Sequence, residues 1–109
     1  MEYLTRLEEA LLIAVLKLED DAYGVTINRE VSRMVGKSYS VGALYFALEQ
    51  LVRKQFLGKE AGGARPVRGC RSKMYYRLTP EGLEALRAVR RHQEKLWKAV
   101  PEFNPGRNR

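Results

Sequence analysis

The sequence has few of the residues that form disulfides, metal centres and catalytic sites. Its 109 residues include one cysteine, Cys70, and one histidine, His92. A single cysteine cannot form an internal disulfide, and one Cys with one His make no zinc ligand set. No phosphate-binding loop and no pair of acid–base carboxylates is present. We therefore expect no enzyme, no metal and no cofactor.

Long apolar runs are lacking as well. The strongest one, residues 10–16, ends at Lys17 and is far shorter than the ~20 residues that a membrane span requires. Glu8 and Glu9 precede it, so the N-terminus has no basic region of a secretory signal. Together with the single cysteine, these absences predict a soluble, cytoplasmic protein of one domain-sized core.

What the sequence does have is positive charge, concentrated in its second half. Lys and Arg number 20 against 13 Asp and Glu, a formal net charge of +7. Residues 1–50 hold five basic and eight acidic side chains, a net −3, whereas residues 51–109 hold fifteen and five, a net +10. An electropositive region of this kind favours a polyanionic partner, and no basic amphipathic helix stands apart to suggest a membrane. Nucleic acid is the expected partner.

Apolar spacing predicts four helices. The first covers residues 4–18 and the second residues 22–35, with Asp21 as the N-cap of the second and Gly36 as its stop. The third covers residues 41–55 after the N-cap Ser40. It has an apolar side formed by Leu44, Leu48, Leu51 and Val52.

A hairpin separates the third helix from the last. Phe56 and Leu57 open its first strand, residues 61–72 form a glycine- and arginine-rich loop, and residues 73–78 alternate as the returning strand. Thr79 caps the last helix, which runs to about residue 100 before Pro101.

Three stretches resemble the PadR family of bacterial transcriptional regulators, over residues 4–100. They are Ala-Tyr-Gly at 22–24, Val-Gly-Ala-Leu-Tyr-Phe-Ala-Leu-Glu-Gln-Leu at 41–51, which matches G-x-L-Y-x-x-L-x-x-L, and Lys-Met-Tyr-Tyr-Arg-Leu-Thr-Pro-Glu-Gly at 73–82. Two positions depart from the family pattern. Phe46 stands where proline is frequent, and Gln55 where glycine is usual.

The resemblance implies a mainly α fold with a small β-hairpin. It divides the chain into a winged helix-turn-helix DNA-binding domain (1–79), a C-terminal dimerisation helix (80–100) and a flexible tail (101–109). It also implies a homodimer that binds a pseudo-palindromic operator on double-stranded DNA, usually as a repressor. Many relatives release DNA when a small aromatic or cationic molecule binds near the dimer interface.

The predicted sites follow from this arrangement. DNA contact is expected from the third helix, the turn before it and the basic loop: Ser38, Tyr39, Ser40, Gly42, Ala43, Tyr45, Phe46, Arg65, Arg68, Arg71 and Lys73. Dimerisation is expected from the first and last helices: Leu4, Leu7, Leu11, Leu83, Leu86, Val89, Leu96, Trp97 and Val100. If an effector pocket exists, Leu7, Leu11 and Trp97 are its expected lining.

Two other interpretations stay open. The recognition surface of a winged helix can bind protein instead of DNA. Alternatively, Cys70 lies between Arg68 and Arg71, whose positive charges favour a reactive thiolate, so the regulator could sense oxidants.

Overall fold

The computed structural model describes residues 4–62 and 73–102. Its elements in chain order are α1 (Arg6–Leu18), a 3-10 turn (Glu19–Asp21), α2 (Gly24–Val35), α3 (Val41–Arg53), β1 (Leu57–Ala61), β2 (Met74–Leu78) and α4 (Pro80–Lys98). The predicted fold class, mainly α with one hairpin, is confirmed. No helix in the described part of the chain is long and apolar enough to cross a bilayer.

Three predicted helix ends lie where the sequence placed them. The Ser40 side chain accepts a hydrogen bond from the Ala43 backbone N–H at 3.1 Å and so caps α3. Thr79 accepts from the Gly82 backbone N–H at 2.9 Å, with Pro80 at the first helical position of α4. Gly36 ends α2 in the left-handed conformation, with φ of 74°.

The start of α2 differs from the prediction. Asp21 belongs to the 3-10 turn, and α2 begins only at Gly24. Thr26 performs the capping: its Oγ1 accepts from the Tyr23 backbone N–H at 3.0 Å and donates to the Asp21 carbonyl at 2.5 Å. The prediction that Asp21 caps α2 is therefore wrong, because this residue contributes its carbonyl and not its carboxylate.

The core lies between α1, α2, α3 and the hairpin. Its largest fully buried side chains come from all three helices: Leu11, Leu12, Ile27, Val31, Leu44, Leu48 and Leu51. Leu57 of β1 and Tyr76 of β2 complete it from the sheet side. Each large aliphatic side chain removed from water contributes about 1.5–3 kcal/mol to folding, so this set fixes how the helices pack.

A charged pair joins the two ends of the core. Glu8, at the start of α1, accepts from the Thr5 backbone N–H and is buried. Its carboxylate also lies 3.1 Å from the Lys54 ammonium group, just past the end of α3. The carboxylate is therefore satisfied from both sides, as a buried charge must be.

The hairpin is anchored to the start of α2. The strands β1 and β2 pair antiparallel from Leu57 opposite Leu78 to Ala61 opposite Met74. Tyr75 forms a further β-bridge with Tyr23, and the Tyr76 backbone N–H donates to the Ala22 carbonyl at 2.8 Å. The strand β2 is thus held by backbone bonds on both sides, to β1 and to the residues just before α2.

The end of α3 explains one departure from the family pattern. The Gln55 N–H donates to the Val52 carbonyl at 3.0 Å and the Phe56 N–H to the Leu51 carbonyl at 2.9 Å, which is a Schellman turn. Gln55 takes the left-handed position of that turn, with φ of 67°, where a side chain costs about 1–2 kcal/mol. The prediction that α3 reaches Gln55 and that Phe56 opens β1 is wrong, because the turn uses both residues.

Close approach of α4 to the hairpin requires Gly82. A Cβ atom built on this residue would overlap the Phe56 carbonyl oxygen and lie 2.8 Å from Leu78 Cδ1. Since the oxygen belongs to the backbone, the clash cannot be relieved by a side-chain rotation. A glycine is needed at this position for packing and not for its backbone angles.

We expect Gly82→Ala to lower the free energy of unfolding by about 1–3 kcal/mol, the usual cost of overpacking. Gly42→Ala is the matched control, because Gly42 also lies in the first turn of a helix but a Cβ there meets nothing within 4 Å. That control should raise stability by about 0.5 kcal/mol. Urea unfolding followed by circular dichroism measures both, and equal stabilities would contradict the packing argument.

Candidate nucleic-acid interface

The outer face of α3 is exposed along its whole length. Leu44, Leu48 and Leu51 are at most 1% exposed, which fixes the rotation of the helix. The opposite side therefore presents Gly42, Ala43, Tyr45, Phe46 and Glu49 to solvent. The Phe46 side chain is 66% exposed and that of Tyr45 43%. The first four are predicted DNA contacts and Glu49 is not; all five lie together on one surface, which we call the α3 face.

The Tyr45 side chain is partly exposed on this face, and its hydroxyl end packs against Gly24. A Cβ atom built on Gly24 would overlap the Tyr45 hydroxyl oxygen and lie 2.8 Å from its Cζ. Gly24 therefore allows α3 to approach α2 closely at this point. Tyr45 therefore positions α3 against α2 as well as exposing part of its ring.

The three polar residues of the turn before α3 differ in their exposure to solvent. Ser38 and Ser40 are exposed, and Ser40 already uses its oxygen as the cap. Tyr39 is half-buried and packs against the core, beside an open cavity of about 300 Å³ that it shares with Arg6 and Met34. Its ring also lies 5.2 Å from the Lys37 ammonium group. Tyr39 is thus less available to a partner than the two serines.

The loop end of β2 carries aromatic and cationic side chains that contact Tyr23. The Lys73 ammonium group lies 4.3 Å from the centre of the Tyr23 ring, and Tyr23 meets Tyr75 edge-on at 5.5 Å. Stacking against an aromatic ring holds the lysine in place. The other predicted loop contacts, Arg65, Arg68, Arg71 and the alternative thiol Cys70, lie outside the described residues.

An ion pair between α3 and the hairpin was not predicted. Lys59 Nζ of β1 lies 2.7 Å from Glu49 Oε1 on the α3 face. The hydrogen bond from Lys59 to Glu49 is the largest cause that raises the pKa of this lysine. Residues 49 and 59 belong to different elements, so the spacing of the sequence held no signal for this pair.

The predicted dimer residues fall into two groups. Leu11 is fully buried in the core of its own chain, so its predicted contact with a partner or an effector does not fit its position. Leu4, Leu7, Leu83, Leu86 and Val89 are half-buried, and Leu4, Leu7 and Leu86 pack against the same core. In contrast, Leu96 is 55% exposed, Trp97 72% and Val100 53%. We call these last three the α4 tip.

The basic side of α4 is largely compensated by acidic residues of the same helix. Arg90 lies 3.2 Å from Glu94, and Arg91 lies 3.3 Å from Glu84. All four side chains are exposed, and pairs of this kind contribute little to stability. Exposed pairs of this kind are typical of a solvated outer face.

The sequence profile described as the transcriptional regulator PadR-like family matches residues 11–88, which include α1 from Leu11 onward, α2, α3, the hairpin and the first half of α4. The chain belongs to the PadR-like family. It is a DNA-binding transcriptional regulator and not an enzyme. No match was found among curated proteins.

Solved structures of PadR-like regulators and related proteins share the fold. The chain is 26% identical to a PadR family transcriptional regulator from Eggerthella lenta, with 84% of this chain and 76% of that one covered and a TM-score of 0.66. It is 29% identical to RosR of H. salinarum, covering 92% and 81%, with a TM-score of 0.63. For BpsR of Bordetella bronchiseptica, whose DNA binding is regulated by 6-hydroxynicotinic acid, identity is 17%, coverage 94% and 70%, and the TM-score 0.65.

We expect Glu49→Gln to strengthen DNA binding by this PadR-like protein at low salt. The change removes a negative charge from the α3 face and frees Lys59 to neutralise a phosphate. Each additional phosphate contact steepens the log–log salt dependence by about 0.9. Fluorescence anisotropy of a labelled duplex between about 50 and 200 mM salt measures this slope.

Lys59→Gln is the reciprocal control. It should weaken binding and leave the salt dependence no steeper than that of the wild type. An unchanged slope in both variants would mean that the Glu49–Lys59 pair lies away from the bound duplex.

Proposed function

We propose that the protein is a homodimeric repressor that binds a pseudo-palindromic operator through the α3 face and the hairpin. The observation that carries the proposal is the Glu49–Lys59 bond of 2.7 Å. It joins an exposed helix face to the edge of a basic hairpin, so both belong to one continuous surface. The membership in the PadR-like family supports the repressor role.

The shape of this surface suits a DNA duplex. The major groove of B-DNA admits one α-helix, and the N-terminal residues of that helix contact the base edges. A Cβ atom on Gly42 would meet nothing within 4 Å, so the backbone of the first turn is open to close approach. Lys59 of β1 lies beside α3, where its ammonium group can bind a flanking phosphate, and Lys73 adds a second ammonium group to the same hairpin.

A second copy of the chain is the proposed cover of the α4 tip. Leu96, Trp97 and Val100 are all more than half exposed, and clustered exposed apolar side chains mark an interaction surface. The half-buried Leu4 and Leu7 of α1 offer apolar surface for the other subunit. A two-fold dimer would present two α3 faces, which explains a palindromic operator.

Release by a small aromatic or cationic effector is part of the same proposal. Its support is the regulation of BpsR by 6-hydroxynicotinic acid and the exposed indole of Trp97. Leu7 and Trp97 stay as proposed lining residues. Leu11 is omitted because its own core encloses it.

Selection of bound fragments from the source genome tests the DNA proposal. We expect the protein to retain a few discrete fragments containing an inverted repeat and to shift them in gels at about physiological salt. Lys73→Glu should weaken this binding, since it reverses a charge on the hairpin, while leaving circular dichroism unchanged. A reporter downstream of such a fragment should be expressed more strongly without the protein than with it.

Other outcomes of that experiment separate the alternatives. Absence of any shift would favour a winged-helix module that binds protein. Release of bound DNA by peroxide in the wild type, but not in Cys70→Ser, would favour a thiol-based sensor in place of a small-molecule effector.

We expect the double variant Leu96→Glu with Trp97→Glu to be monomeric. Two carboxylates in an apolar contact would lack partners and oppose association, whereas both positions are exposed in the single chain, so its fold should persist. Lys95→Glu, a charge change in the same turn, is the control and should remain dimeric. Sedimentation velocity at several concentrations measures the mass, and a dimeric double variant would refute the proposed contact.

A further inference from the structure

Phe46 is an apolar side chain where a DNA-reading helix normally carries polar ones. It lies on the outer stripe of α3 with Gly42, Glu49 and Arg53, opposite the buried leucines, and is 66% exposed. The ring contributes nothing to the core in this position. Val41 and Tyr45 are exposed on the same side of the helix, and a group of exposed apolar side chains marks a surface that meets an external partner.

The neighbouring residues offer few hydrogen bonds to bases. The exposed positions in the first two turns of α3 are Val41, Gly42, Ala43, Tyr45 and Phe46, and Arg, Lys, Asn and Gln are absent from them. The Tyr45 hydroxyl is turned toward Gly24, and Glu49 is bonded to Lys59. The usual bidentate contacts to guanine or adenine are thus missing from this part of the helix.

The major groove contains one apolar group, the C5-methyl of thymine, which apolar side chains contact. The charges around Phe46 favour a duplex over an apolar protein surface, because Arg53 lies on the same stripe and Lys59 stands beside the α3 face. We propose that Phe46 is a specificity-determining residue that selects thymine by contact with its methyl group, once in each half of the operator. This inference rests on the proposed function.

The test uses a random duplex library and the full-length chain. Wild-type protein should select duplexes with a fixed thymine in each half-site, and Phe46→Ala should lose that preference and bind those duplexes more weakly, because it lacks the contact with the methyl group. Replacing each selected thymine singly by deoxyuridine removes only the methyl group. At one position this should weaken wild-type binding by about three- to fivefold, the value of one buried methyl.

Phe46→Ala should bind the thymine and deoxyuridine duplexes equally, which completes a double-mutant cycle between protein and DNA. Glu49→Gln is the matched control on the same stripe. It should keep the wild-type ratio between the two duplexes even if its affinity changes.

The outcomes are distinguishable. Wild-type binding that is indifferent to deoxyuridine at every thymine would overturn the inference but leave the DNA-binding proposal intact, as would a Phe46→Ala variant with the full deoxyuridine effect. Failure to select any duplex, with binding of a protein partner through Phe46, would overturn both.

Discussion

The rotation of α3 about its own axis is the constraint on which the functional surface depends. Leu44, Leu48 and Leu51 are buried together at helical spacing, and turning the helix by one residue would bring these side chains into water at about 1.5–3 kcal/mol each. Burial on one side therefore decides which residues the other side presents. The composition of the α3 face, including its exposed Phe46, is set by packing in the interior.

Contacts at the edges of the core then hold α3 in place along its length. The Tyr45 hydroxyl over Gly24 fixes its distance from α2, and the Glu8–Lys54 pair ties its end to the start of α1. The left-handed residue Gln55 turns the chain sharply into β1, at a conformational cost that glycine would avoid. That the turn persists with glutamine indicates that its hydrogen bonds and the packing of α4 determine it more strongly than local preference does.

The sequence predicted what depends on local chemistry. Ser40 and Thr79 cap their helices because the capping side chain and the N–H that it bonds are three residues apart, and the leucine spacing of α3 identifies its buried side directly. The wrong or missed predictions concern residues that compete for one role and contacts between residues that are far apart in the sequence. Thr26 and not Asp21 caps α2, because the Thr26 hydroxyl forms hydrogen bonds to two backbone groups. The burial of Leu11 within its own chain and the partnership of Glu49 with Lys59 depend on the packing of separate elements, which periodicity does not encode.

The anchoring of the hairpin at Tyr23 and Tyr75 has a consequence for how a signal would be transmitted. Backbone bonds join β2 to the residues before α2 and an ion pair joins β1 to α3, so in the proposed dimer α3 and the hairpin of each subunit would form one unit. A molecule bound between the subunits would then change the separation and tilt of the two DNA-binding surfaces, and not the shape of either surface. Regulation would then depend on whether the distance between the two DNA-binding surfaces matches one helical repeat of DNA, about 34–36 Å.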